Sequence, residues 1–439
     1  MTPSSDTARK NRLDRRDALF FLLLAAAAAF FFWRVRYGFA NIDESFYPTF
    51  ARRLTQGDRL FLDEWHVSQL SSVLLYPPVW LYERLNGGTD GIYLALRYLF
   101  VAVQSLVSAA VYLRLRRYHR AGAAAGALAL AMYAPFGINA LSYNSLGVLL
   151  LSLTGALLVP AGERSRAAYL LAGLCFAGTV LCCPYLALVY VLYTLAVVLL
   201  RKRPARLPAF SLHAFALFTL GAAILAAAFF LLGLRGADLS RLPAALQGIF
   251  SDPEHAGRTS FLRSLLRLAL RYPYHVLYRA HPLPGTCLLL MLALSLAALL
   301  DKRREQHAAA YFLAGTALTA AAEILYAVLW PHPNFMMYAV NVLALLCFVL
   351  TPPSDADVAR RLALLWWLPG MLYSALIILG SNQGHFAIFS AAASAVPCSV
   401  TVAFRTAKHV FPERKPLRAA AAAALAVLVL AQAGGTAYL

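Results

Sequence analysis

Residues 18–33 read ALFFLLLAAAAAFFFW, and shortly afterwards the chain continues Asn41-Ile42-Asp43-Glu44-Ser45-Phe46-Tyr47. An uncharged run of this kind is suited to hydrocarbon, and the two acids mark its return to water. Only 20 of the 439 residues are Asp or Glu, so an acidic pair at that boundary is not background.

Similar apolar runs recur from end to end. The chain is 61% hydrophobic and 13% charged, about half the charged share of a soluble domain. The runs are too long and too uniform for the alternating strands of an outer-membrane barrel. The fold class read from this is an all-α polytopic membrane protein. The net charge of +19 does not indicate nucleic acid, because the basic residues lie in short clusters between apolar segments. Cys175, Cys182, Cys183, Cys287, Cys347 and Cys398 lie within those segments without metal-ligand spacing and read as small core residues.

The expected spans are 18–34, 92–113, 121–137, 143–159, 167–183, 185–200, 210–234, 282–300, 308–330, 334–350, 362–380, 386–404 and 418–437, about thirteen in all. Residues 1–17 form a basic tail, and the first span is read as retained rather than cleaved. If the spans alternate, the clusters at Arg9–Arg16, Arg114–Arg120, Arg164–Arg166, Arg201–Arg206, Lys302–Arg304, Arg360-Arg361 and Lys408–Arg418 all face one side. The positive-inside rule makes that side cytoplasmic. The Ala- and Arg-rich composition leans bacterial, so the expected location is a cytoplasmic membrane. A module over 18–404 is followed by a cytoplasmic loop and last span over 405–439.

Two outer connections are long, at about 34–91 and 233–281, and long ordered loops are usually functional. In the first, Phe46, Tyr47, Phe50, Ala51 and Leu54 follow helical spacing, as in a helix lying along an interface. In the second, Phe261-Leu262, Leu265-Leu266 and Leu268-Ala269 alternate with Arg263, Arg267 and Arg271, a basic amphipathic helix suited to headgroups or a lipid phosphate.

The acidic pair admits two readings. A carboxylate there can take a proton from an attacking hydroxyl, if its surroundings tune it; alternatively, two exposed acids simply end a span. The loop behind it reads Asp63-Glu64-Trp65-His66-Val67-Ser68-Gln69, then Leu75-Tyr76-Pro77-Pro78-Val79-Trp80, then Gly87-Gly88-Thr89-Asp90-Gly91. This order resembles the GT-C superfamily of polyprenyl-phosphate-sugar-dependent glycosyltransferases, nearest its protein mannosyltransferase and aminoarabinose transferase branch. The likeness rests on a first span, an acidic pair followed by an aromatic, an interfacial helix, and a Pro-Pro step leading into a second helix. It covers about the first 100 residues by motif and the whole chain by topology. Tyr76 stands where that family commonly has His before Pro-Pro.

The resemblance implies transfer of a sugar from a polyprenyl-phosphate donor to a glycan, lipid or protein acceptor on the outer side, with inversion. Asp43 would be the base or acceptor-orienting carboxylate, with Glu44 beside it. Cations must stabilise the leaving phosphate. Arg258, Arg263, Arg267, Arg271, His275 and Arg279 are candidates, as is Arg97, whose charge inside the second span is costly without a partner. Substrate-pocket candidates are His66, Gln69, Tyr143, Asn144, Asn382 and His385. The polar run Ser142-Tyr143-Asn144-Ser145 is equally suited to capping a helix. Glu323 is an intramembrane acid whose depth sets it far from the outer surface. No cofactor or metal site is expected, although relatives with this fold include users of a divalent cation. Two rival classes remain open: a transporter or lipid flippase, and an O-antigen-type polymerase or ligase that would use the second loop and leave Asp43-Glu44 incidental.

Overall fold

The computed structural model describes residues 13–38, 43–63, 69–162, 165–200, 207–244, 261–279, 282–329, 338–379 and 384–438. Among these the chain is helical, with no β-strand. In order the helices are α1 (Arg15–Arg34), α2 (Asp43–Thr55), α3 (Ser72–Asn86), α4 (Ile92–Leu115), α5 (Arg120–Met132), α6 (Tyr143–Leu158), α7 (Arg166–Cys182), α8 (Ala187–Leu200) and α9 (Leu212–Gly233). There follow α10 (Phe261–Tyr274), α11 (Pro282–Leu300), α12 (Arg304–Leu329), α13 (Tyr338–Val349), α14 (Ala356–Leu362), α15 (Leu368–Leu376), α16 (His385–Ala392), α17 (Val396–Val410) and α18 (Lys415–Tyr438).

Among the described residues eight helical stretches are long and apolar enough to cross a membrane: α1, α4, α9, α11, α12, Pro353–Leu379 (which contains α14 and α15), His385–Val410 (α16 and α17) and Lys415–Gly435. The molecule therefore has the helices of an integral membrane protein. Other expected segments coincide with shorter apolar helices, Tyr143–Leu158, Arg166–Cys182, Pro184–Leu200 and Tyr338–Val349. The segment expected over 121–137 is cut short. Its helix stops at Met132, Tyr133 turns extended, and Pro135–Gly137 form a separate tight turn with Phe136 at φ 57°. Proline cannot continue a helix at that point, and the turn gives α6 its own start.

Helices meet closely where side chains are smallest. Gly173 of α7 and Gly221 of α9 face each other's backbones; a Cβ on either would lie within about 2 Å of a carbonyl oxygen on the other helix. Small residues let membrane helices approach in this way without a hydrophobic driving force.

Helix α1 starts at Arg15, inside the stretch expected to be tail. Asp14 caps it and forms a reciprocal box with Asp17. Asp17 is fully buried, accepting from the Tyr112 hydroxyl at 2.6 Å and from Arg116 at 2.5 Å. The rings of Phe20 and Tyr112 stack at 3.7 Å just beyond. Sequence alone shows a polar residue before a span; only packing shows that it docks α1 onto α4.

At the start of α5, His119 Nδ1 accepts from the Gly122 N–H at 3.2 Å. Burial, reinforced by Lys408, Arg405 and Arg418, holds its pKa down at about 4. Unfolded histidine titrates near 6.5, so the unfolded chain binds more protons between these values. This contribution to stability is intact above about pH 6.5 and is lost as pH falls toward about 4. His119→Asn, which preserves a good cap, is expected to flatten that acid limb of thermal stability. An unchanged limb would assign it to other groups.

Candidate functional site

Asp43 is the first residue of α2; its side chain lies outside the described residues. Acids in a first helical turn are favoured by the unpaired N–H groups and the helix dipole, which also keep a carboxylate ionised. Glu44 is buried, at 2% exposure. Its carboxylate takes a two-pronged contact from Arg97 of α4, through Nε and, at 2.8 Å, through Nη2. The same guanidinium donates to the carbonyls of Val35 at 3.0 Å and Gly38 at 2.9 Å. One side chain thus holds the end of α1, the segment beyond it and the start of α2. Arg97 does not snorkel; it is buried, and its partner is the second acid of the pair.

The face of α2 bearing Tyr47, Phe50, Ala51 and Leu54 is buried, as its spacing predicted, whereas Phe46 is exposed. Thr55 and Arg52 both reach Glu83 of α3, at 2.6 and 3.3 Å. Pro77-Pro78 do not lead into α3 but lie inside it, after Tyr76. Gln69, a pocket candidate, is 1% exposed and accepts from the Phe61 N–H at 2.6 Å. Phe61 has φ 66°, so this bond supports a turn that an aromatic residue rarely adopts.

Tyr47 meets Tyr143 edge to face at 5.9 Å, bringing α2 to the N-terminus of α6. There Ser142 and Ser145 form a reciprocal cap, so capping accounts for both serines. Asn144 is buried beside them, and Tyr143 is half-buried.

Two histidines from distant parts of the chain come together on the next wall. His275 opens a π-helical turn, His275–Arg279, after α10, a feature that recurs at functional sites. His385 is the first residue of α16. The rings lie nearly parallel, 6.5 Å apart. Gly384 sits against His275 with φ 57° and ψ −123°, a conformation essentially confined to glycine. A Cβ there would be 3.0 Å from His275 Cε1. Gly384→Ala is therefore expected to cost about 1–3 kcal/mol, read as a lowered unfolding midpoint; no change would show that the turn relaxes freely. The His275 Nδ1 atom is buried without a hydrogen-bond partner among the described residues. Burial and then Arg271 and Arg279 push its pKa below the ordinary histidine value, so it is neutral at pH 7. One turn earlier the Tyr272 hydroxyl bonds those of Tyr338 at 2.6 Å and Ser374 at 3.0 Å, fixing α10 over the bundle.

Helix α16 joins the two regions, packing on the π-turn, on α6 and on the 135–137 turn. Phe389 of α16 meets His385, Tyr326 and Tyr338 at 6.0, 6.4 and 5.4 Å. Glu323 is buried one turn from Tyr326. It is six residues from the last residue of α12, about 9 Å along the axis.

Arg258, His66 and Asn382 lie outside the described residues. Arg263 and Arg267 belong to α10, with side chains outside the description, and Arg271 is exposed. Among the described residues no three His, Cys, Asp or Glu side chains are grouped to hold a metal ion. No protein family, curated protein or solved structure matches the chain in comparisons against each. Sequence reading missed the Tyr272–Tyr338–Ser374 contact and the role of Gly384. The Ser381-Asn382-Gln383-Gly384-His385 run signalled a tight turn, but not what packs against it.

Proposed function

We propose that this protein is an integral-membrane glycosyltransferase with about thirteen crossings, moving a sugar from a polyprenyl-phosphate donor to an acceptor on the outer face. The observation that carries the reading is the Glu44–Arg97 pair. It commits the second acid to architecture, so the base role falls to Asp43, on a segment anchored at both sides. Arg97 is likewise committed, so it acts as a positioning residue. Phosphate binding falls to the second outer loop, to the cations Arg271 and Arg279, with the neutral His275 between them in sequence as a hydrogen-bonding group.

In this reaction Asp43 takes the proton of the acceptor hydroxyl. The oxygen attacks the anomeric carbon, and the bond from that carbon to the donor phosphate oxygen breaks. The electron pair leaves on the phosphate, whose growing charge the cations stabilise. The configuration inverts in one displacement. Tyr143, Asn144 and His385 flank the attacking face.

The test supplies membranes containing the protein with labelled polyprenyl-phosphate sugars. Transfer by the wild type that is lost with Asp43→Asn supports the reading. No transfer with any donor favours a transporter. Loss on changing Arg263 or Arg267, with Asp43 indifferent, favours a polymerase or ligase.

A further inference from the structure

On the arginine-rich face, far along the helices from the acidic pair, the end of α6 meets the loop after α4. The Tyr118 hydroxyl donates to Val159 O at 3.3 Å, and Arg117 donates to Pro160 O at 3.4 Å. Arg405 of α17 reaches Tyr118 O at 3.5 Å and is paired to Asp355 through two contacts, at 3.0 and 2.6 Å. Arg361 of α14 joins the group: burial pushes the Tyr118 phenol up, and Arg361, Arg117 and Arg405 pull it back down. Asp355 is taken by Arg405. Among the described residues Arg117 and Arg361 have no carboxylate partner, and the buried Arg361 Nε has no hydrogen-bond partner. A buried charged donor left unsatisfied is costly and calls for an acceptor.

In the same seam lies an apolar cleft of about 90 Å³. Its walls include Leu158 of α6, Tyr193 and Ala196 of α8, and Leu364, Leu365 and Leu368 after α14. Leu364 and Leu365 follow Arg361 by one turn, and Leu158 lies two residues before Pro160. Cation and hydrocarbon surface are thus continuous on both walls. General positive-inside bias explains arginines on this face, but not a buried Arg361 Nε without an acceptor beside a lateral apolar cleft.

We infer that this seam binds one anionic phospholipid of the adjacent leaflet, its phosphate on Arg117 and Arg361 and an acyl chain in the cleft. Basic pockets between helices on the cytoplasmic side take such headgroups. The inference is independent of the glycosyltransferase reading.

The test uses the full-length protein, delipidated in mild detergent and given phosphatidylglycerol, phosphatidylcholine or sodium phosphate. Native mass spectrometry and the unfolding midpoint are read. Phosphatidylglycerol is expected to bind once per chain and raise the midpoint, the other two to do neither. The double variant Arg117→Gln/Arg361→Gln should bind it about thirtyfold more weakly. The charge-matched Arg414→Gln/Lys415→Gln should not weaken it. Ala196→Phe, which fills the cleft and keeps both cations, should also weaken it, and serves if the arginine variant fails to fold. Equal effects of phosphatidylcholine overturn the inference, as does protection by phosphate alone. Undiminished binding by the arginine variant or by Ala196→Phe overturns it too.

Discussion

Asp43→Asn is expected to lower sugar transfer by about 10²–10⁴-fold while leaving the unfolding midpoint nearly in place. The substitution preserves size and shape and removes the charge, and with it the capacity to accept a proton. Asp43 begins α2, where loss of a carboxylate charge costs only about 0.3–1 kcal/mol, so the fold should respond little. The measurement is single-turnover transfer of labelled sugar, beside thermal unfolding of the same preparation. Full activity in the variant would remove the base from Asp43; lost activity with lost stability would reassign it to architecture.

Its neighbour should behave in the opposite way. Glu44→Gln leaves the Arg97 guanidinium, 10% exposed in its side chain, with neutral acceptors only. Breaking a buried ion pair from one side costs about 3–5 kcal/mol, because the remaining charge stays desolvated. A large fall in the unfolding midpoint is expected, whatever happens to activity. Replacing both partners, as in Glu44→Leu with Arg97→Leu, should recover much of that loss, since two apolar side chains strand no charge. If the double variant is less stable than either single one, the carbonyl contacts to Val35 and Gly38 carry the segment instead. The two adjacent acids would then differ cleanly, one governing rate and the other stability.

The helical class and most segment positions were legible in the sequence, because a run such as 18–33 has no other low-energy setting than hydrocarbon. The buried face of α2 was legible too, since Tyr47, Phe50, Ala51 and Leu54 recur at helical spacing. The break after Met132 needed only closer attention to Pro135. What could not be read was pairing. Arg97 announced that it required a partner, yet nothing in the order of residues names Glu44, 53 positions away. His275 and His385 are further apart still and meet because a glycine allows the chain to fold over one of them.

Helix α4 and its C-terminal cap carry the two buried clamps of the N-terminal region, Arg97 near its start and Arg116 just past its last residue. Nineteen residues separate them, a rise of about 28 Å, close to the roughly 30 Å of a bilayer's hydrocarbon. The helix is thus a gauge with a stop at each end, one gripping α2 through Glu44 and the other α1 through Asp17. A bilayer thinner or thicker than this span would press on one stop or the other. Strain from the membrane would then arrive at Glu44, one residue from the carboxylate on which the chemistry is proposed to turn.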